Sequence, residues 1–262
     1  MAQQTIRFND GAAYERMMGV WSRMVGSVFL DWLTPAPGQS WIDVGCGNGA
    51  FTELLMQRCL PSEVQGIDPS EGQIAYARTR PGAEGATFQQ GDALAVPFPA
   101  ARFDAAVMAL VIFFLPEPAK GVSEMARVVR PGGTVAAYVW DIFGGGNTLE
   151  PIWQQMRATG VPIALPPHPE ATRPEVLRTL WADAGLEGVE THSITVQRSF
   201  ADFDEFWSTT TTSGAMTAAL AALDEDAVTR LREAVRAGLM ADAHGKITYS
   251  ARAHAIKGSV PV

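Results

Sequence analysis

The run Asp43-Val44-Gly45-Cys46-Gly47-Asn48-Gly49 limits what this chain can fold into more than any other stretch of its sequence. Ahead of it, Trp41-Ile42-Asp43-Val44 has the apolar character of a short strand. Behind it, Phe51, Leu54 and Leu55 share one helical face. Glycines between a strand and a helix permit positive φ and let a ligand come close to the backbone. The spacing is G-x-G-x-G, with an acid two residues ahead of the first glycine. A dinucleotide fingerprint would read G-x-G-x-x-G, and a triphosphate loop would carry a G-x-x-x-x-G-K-[ST] lysine; neither is present.

The loop sits in an alternation of strands and helices. Val64 to Asp68 reads as a second strand, with Ser70 capping the helix that follows. Ala86 to Gln90 is a weaker third strand. Phe103 to Leu110 is a nearly continuous apolar run, as expected of a strand covered on both faces. Glu117 to Val129 is helical and stops at Arg130-Pro131-Gly132-Gly133, a helix stop and turn. Thr134 to Trp140 is a fifth strand. This alternation predicts βαβ units in a parallel, doubly wound α/β sheet. One amphipathic helix over Tyr14 to Leu33 precedes it, with Tyr14, Met17, Met18, Trp21, Met24, Val25, Val28 and Trp32 in register.

Three acids stand at successive strand ends. Asp43 precedes the glycines, Asp68 ends the second strand 19 residues past Gly49, and Asp92 follows the third in Gly91-Asp92-Ala93. A carboxylate in the position of Asp68 accepts hydrogen bonds from both ribose hydroxyls of an adenosine. Asp92 and its neighbouring amides are placed to read an adenine edge. The set points to an adenosyl ligand without phosphates.

These motifs, with Gly66-Ile67-Asp68-Pro69-Ser70, Phe103-Asp104 and Arg130-Pro131-Gly132-Gly133, resemble the ordered motifs of class I S-adenosylmethionine (SAM)-dependent methyltransferases. The resemblance is to the methyltransferase type 11 group, which includes the ubiquinone/menaquinone-biosynthesis enzymes, and it covers roughly residues 14–141. It implies a mostly parallel seven-stranded Rossmann-like sheet with an antiparallel last strand and a helical lid. It also implies SAM as co-substrate. By this resemblance Gly45 and Gly47 line the methionine moiety, Asp68 binds ribose, and Asp92 with Ala93 contacts adenine. Cys46 and Asn48 in the loop, Pro69 and Leu94 beside the two acids, and Leu110 at the end of the fourth strand complete the candidate cofactor set. Tyr14 joins it because Tyr14 to Gly19 resembles the helix that closes over the cofactor in this group. Asp43 either touches ligand or orients the loop through backbone amides, and Asp104 is read as structural.

The chain divides into an N-terminal helix with the SAM-binding core (1–141), a connection with a helix and sixth strand (142–199), a helical lid insertion (200–245) and a final strand (246–262). The lid aromatics Trp153, Phe203, Phe206 and Trp207 either shape an apolar acceptor pocket or form the lid's own core. Relatives often carry histidine after the fourth strand, whereas here the stretch is Val111-Ile112-Phe113-Phe114-Leu115. The catalytic residue is therefore open; Asp141 and His168 are the candidates, and Asp141 is equally able to cap a turn. His192, His244 and His254 show no metal-ligand spacing, so no metal is expected.

Charge and composition narrow the partners. Net charge is −8, and Lys120, Lys246 and Lys257 are the only lysines. A nucleic-acid substrate, which calls for a basic face, is not expected. No apolar run of about 18 residues indicates a membrane span, and Met1 to Asp10 lacks a signal-peptide core. Cys46 and Cys59 are expected to be free thiols in a reducing cytoplasm. The expected partner is a small, partly apolar methyl acceptor. Two alternatives are a SAM-binding protein without methyl transfer and an NAD-dependent oxidoreductase.

Overall fold

Short apolar runs and, later in the chain, longer stretches of mixed polarity become the strands of one seven-stranded sheet in the computed structural model, which describes residues 15–212 and 214–262. Tyr14 lies outside the described residues. The strands are β1 (Ser40–Val44), β2 (Glu63–Asp68), β3 (Thr87–Gln90), β4 (Phe103–Ala109), β5 (Val129–Trp140), β6 (Glu187–Phe200) and β7 (Ile247–Ser259). Their spatial order is β3-β2-β1-β4-β5-β7-β6. Neighbours from β3 to β5 pair in parallel, and β7 runs antiparallel to both β5 and β6. The order reverses between β1 and β4, so a crevice opens at their carboxyl ends, where such sheets bind ligands.

Helices cover both faces. They are α1 (Val20–Leu33), preceded by a π-helical turn Glu15–Gly19, then α2 (Ala50–Cys59), α3 (Glu71–Ala77), α4 (Pro118–Val128), α5 (Glu150–Ala158) and α6 (Pro174–Asp183). On one face, Phe29 of α1 and Phe51 of α2 pack on Tyr138 of β5, with ring centroids 5.0 and 5.7 Å apart. On the other, Trp181 of α6 is fully buried and its indole N–H donates to the Val135 carbonyl at 3.0 Å. The pleat explains the split, because Val135 and Tyr138 lie on opposite sides of the same strand.

One expected turn proves to be sheet. Arg130-Pro131-Gly132-Gly133 continues β5 as a bulge: Val129 pairs with Phe103, but Thr134 pairs with Ala105. The proline lacks a ladder N–H and Gly132 takes φ +77°, so the extra residues loop out without ending the strand. The Gly132 N–H finds its acceptor on the Val260 carbonyl at 2.8 Å. Asp104 anchors the neighbouring edge, accepting from the Ser40 N–H at 2.7 Å and the Ser40 hydroxyl at 2.9 Å while pairing with Arg130.

The insertion after β6 forms three helices, α7 (Phe203–Thr211), α8 (Gly214–Ala221) and α9 (Glu225–Gly238). Phe200, which ends β6, pairs with Ile247, which starts β7. The insertion therefore leaves from and returns to the edge that carries the carboxyl ends of β1 to β5. Asp202 caps α7 by accepting the Glu205 N–H at 2.8 Å, and Glu205 reaches back to the Ala201 N–H. Replacing Asp202 with alanine is expected to cost about 1 kcal/mol and to lower the melting temperature by about 2–4 °C. Asp202→Asn should recover most of that loss in a thermal melt. No described helix is long and apolar enough to cross a membrane.

Candidate cofactor site at the strand ends

The glycine loop turns three times through left-handed backbone: Gly45, Gly47 and Gly49 have φ of +78, +53 and +79°. Each glycine meets a different environment. A Cβ on Gly45 would lie 2.5 and 2.6 Å from the two methyls of Val111. At Gly49 it would press on Ala77 and Phe88, whereas at Gly47 nothing lies within 4 Å. Gly45 is thus demanded by packing, and Gly47 leaves backbone bare toward open space. The Gly45 and Cys46 N–H groups both donate to the Ile67 carbonyl, at 2.8 and 2.9 Å, tying the loop to β2.

A recess runs beside the loop, lined by Ser22, Asp43, Gly45, Cys46, Gly47, Asn48, Ala50, Phe51, Ala109 and Tyr138. Of the candidate residues, Gly45, Cys46, Gly47 and Asn48 are brought together here. Cys46 offers backbone only, because its thiol packs with Ile74, Ala77, Ala83 and Phe88. Burial pushes that thiol well above its ordinary range. Both cysteines are free and buried.

Asp43 is fully buried. One carboxyl oxygen accepts from the Thr52 hydroxyl at 2.6 Å, and the other has no hydrogen-bond partner. Burial pushes its pKa from 3.8 up to about 7 against the Thr52 bond, with the Asp68 charge adding to the rise. Between those two values the folded protein holds a proton that the unfolded chain has released. The stability contributed by this one group is therefore fully present below about pH 4 and is lost as pH rises through about 7. Asp43→Asn should flatten this fall in melting curves recorded from pH 4 to 8. Parallel wild-type and variant profiles would contradict the assignment.

At the end of β2, Asp68 accepts the Gly47 N–H at 3.0 Å through one oxygen and the Ser70 N–H at 2.8 Å through the other. Burial raises its pKa, partly offset by those two amides. Pro69 is exposed beside it, and its carbonyl accepts from the Gln90 side chain. One strand further along, Asp92 is exposed and closes a turn by accepting the Leu94 N–H at 2.8 Å. Ala93 is buried behind it and Leu94 half-buried. Leu110 takes φ +65° where β4 ends, and its N–H donates to the Tyr138 carbonyl. A left-handed, non-glycine residue costs roughly 1–2 kcal/mol, and it lies one residue from Ala109, which lines the recess.

The proposed bases are placed differently. Asp141 follows β5, but its oxygens accept from the Arg252 guanidinium at 2.7 Å and the Gly144 N–H at 2.7 Å. Burial raises its pKa, yet Arg252, the Gly144 amide and nearby His254 together hold it below the ordinary carboxylate range. It therefore braces the turn 141–146. His168 donates its backbone N–H to the Phe113 carbonyl at 3.0 Å, which brings it next to the turn after β4. Among the described residues no three His, Cys, Asp or Glu side chains gather into a possible metal site.

Sequence reading missed several participants. Ser22 and Tyr138 line the recess from α1 and β5, where their spacing marks them only as core. Arg80, with a side chain 7% exposed, donates to the Asn48 carbonyl at 2.6 Å and pairs with Glu15 and Glu53. A lone arginine beyond a short helix carries no motif signal.

Residues 42–137 match the family model for the methyltransferase domain. The chain is 39% identical over 92 residues to the chloroplastic 2-methyl-6-phytyl-1,4-hydroquinone methyltransferase 2 of Oryza sativa subsp. japonica, covering 35% of this chain and 26% of that one. It is 35% identical over 106 residues to the demethylmenaquinone methyltransferase of Desulfitobacterium hafniense, covering 38% and 42%. The chain thus spans less than half the length of either relative. In fold it is similar to Haemonchus contortus phosphoethanolamine N-methyltransferase 2, solved in complex with S-adenosyl-L-methionine: TM-score 0.60 at 19% identity, over 96% of this chain and 57% of that one. Matched segment, strand order and glycine loop agree: residues 42–137 carry a methyltransferase domain by their match to its family model, within a fold similar to that of solved methyltransferases.

Proposed function

We propose that the protein transfers the methyl group of SAM to a small, partly apolar acceptor. The observation that carries this reading is the juxtaposition of bare Gly47 backbone, the unpartnered Asp43 oxygen and the Asp68 carboxylate at the ends of adjacent strands. These groups fit an adenosyl amino acid: hydroxyls on Asp68, the adenine edge beside Asp92, Ala93 and Leu94, and the amino-acid tail along Gly45 to Asn48. The bound sulfonium supplies an electrophilic methyl group for an in-line displacement. The chain's own part is positioning, which is worth several kcal/mol of such a barrier, and exclusion of water.

Of the two readings left open for the lid aromatics, we take the lid's own core for Phe203 and Phe206. Phe206 is 1% exposed and packs against Phe200 and Phe203, inside the cap. Phe203 is also covered by Arg232 and Arg236. Trp21, beside the recess residue Ser22, instead meets Trp140 and Tyr249 edge-on at 6.4 and 6.2 Å. This trio at the end of β5, with the helical cap 200–245, frames our proposed acceptor side. Asp141 is engaged with Arg252 and is not proposed as base; His168 stays the candidate for an acceptor that must lose a proton. Small-molecule metabolism in the cytoplasm fits two buried free thiols and an acidic chain.

Mass spectrometry of a panel of quinols, phenols and carboxylic acids incubated with SAM tests this reading. A product heavier by one methylene unit, formed with S-adenosylhomocysteine (SAH), supports it. SAH binding without product from any acceptor class favours a SAM-binding protein without transfer activity.

A further inference from the structure

Three glycines in left-handed backbone make the loop soft, because glycine restricts its own backbone least. The front of the loop is held by β2, through Ile67 and Asp68. The rear, at Asn48, is held by groups outside the sheet. The Asn48 carbonyl accepts from Arg80 Nε at 2.6 Å, and its side-chain amide donates to Glu15 at 3.0 Å. Arg80 also gives one N–H to Glu53, the acid in the first turn of α2, at 2.6 Å, and another to Glu15. Its guanidinium lies 5.7 Å from the Tyr76 ring. Glu15 in turn takes a second cation, Arg23, at 2.7 Å.

A buried guanidinium needs matched carboxylates, and a planar fork directs its N–H groups rigidly. Arg80 uses Nε and both terminal nitrogens on three separate segments. None of these contacts belongs to the proposed nucleoside-binding acids, yet both Asn48 contacts act on a residue that lines the recess.

We propose that Glu15 and Arg80 are positioning residues that clamp the Asn48 end of the glycine loop and couple docking of the turn Glu15–Gly19 to cofactor affinity. The inference rests on the reading of this site as a SAM site. By linkage, whatever holds Asn48 in the binding-competent arrangement raises affinity, and ligand binding in return tightens the turn.

The test compares wild type, Glu15→Gln, Glu15→Asp and Arg58→Gln by calorimetric titration with SAH, thermal melting and amide hydrogen exchange. Arg58 is a control that joins α2 to α1 through Ser27 and Asp31, away from the loop. Glu15→Gln keeps the volume but removes one charge facing Arg80, and should raise the SAH Kd about tenfold; Glu53 still pairs with Arg80, so the variant should stay folded, with a melting temperature below that of Arg58→Gln. Glu15→Asp should recover part of the affinity, and Arg58→Gln should bind as wild type does. Amides 15–19 should gain protection on SAH addition in wild type and not in Glu15→Gln. An unchanged Kd in Glu15→Gln, beside a wild type that binds SAH, overturns the coupling and leaves the SAM site standing. A wild type that binds neither SAM nor SAH overturns both.

Discussion

Asp68→Ala is expected to weaken SAH binding by about a hundredfold or more while leaving the fold intact. Hydrogen bonds to a charged group contribute roughly 1.5–3 kcal/mol each, and a ribose offers two hydroxyls to one carboxylate. Losing both corresponds to at least two decades in Kd. The structural cost is smaller: Asp68 is half-buried, and its present partners are two backbone amides, those of Gly47 and Ser70. Because burial raises its pKa, and hydroxyl donors favour the ionised form, affinity should also decline as pH falls through that raised value. Asp68→Asn, which keeps the shape and loses the charge, should retain the fold and most of the Asp68→Ala defect. Calorimetric titration and circular dichroism of the two variants check both statements. Wild-type affinity in Asp68→Ala would remove the ribose assignment.

Gly45→Ala and Gly47→Ala should separate along stability and affinity. At Gly45, left-handed backbone costs roughly 1–2 kcal/mol for a residue with a Cβ, and the added methyl would sit 2.5 Å from Val111. Overpacking of that kind costs roughly 1–3 kcal/mol, so Gly45→Ala should lose about 3 kcal/mol in denaturant unfolding. Adding Val111→Ala should return part of that loss, since the clash but not the strain disappears. At Gly47 the backbone strain remains but no neighbour lies within 4 Å. Gly47→Ala should therefore cost about 1 kcal/mol in stability while SAH affinity drops about tenfold or more, because the methyl occupies the space offered to the ligand's tail. Equal stability losses in the two variants would show that the glycines are not distinguished as proposed.

What could be read in the sequence follows the range of the forces involved. Strands β1 to β5 and the helices between them come from local period and turn residues, so their existence was legible, and Ser70 caps α3 as its position implied. The turn glycines were legible because left-handed backbone between a strand and a helix restricts which residues fit, and Asp68 because it ends β2 beside them. The bulge at Pro131-Gly132-Gly133 was not: locally it reads as a turn, and it stays in the sheet only because β4 and the tail after β7 supply partners. Asp141 illustrates the same limit. Its strand-end position suits a base, but Arg252, 111 residues away in sequence, occupies it. The Arg80 network and the Tyr138–Ser22 wall likewise join segments distant in the chain, and no single-residue pattern announces them. Cys46 sits in the loop by sequence and in a separate apolar cluster by side chain, because the alternation of the turn sends its thiol behind the loop.

The central claim is that carboxylates at the ends of consecutive strands, with bare glycine backbone between them, select an adenosyl amino acid over a phosphate-bearing nucleotide. Parallel calorimetric titrations of the wild-type chain with SAH and with NAD address it directly. The account predicts saturable binding of one SAH per chain and no measurable heat with NAD. Absence of SAH binding, or NAD binding of equal strength, would contradict it.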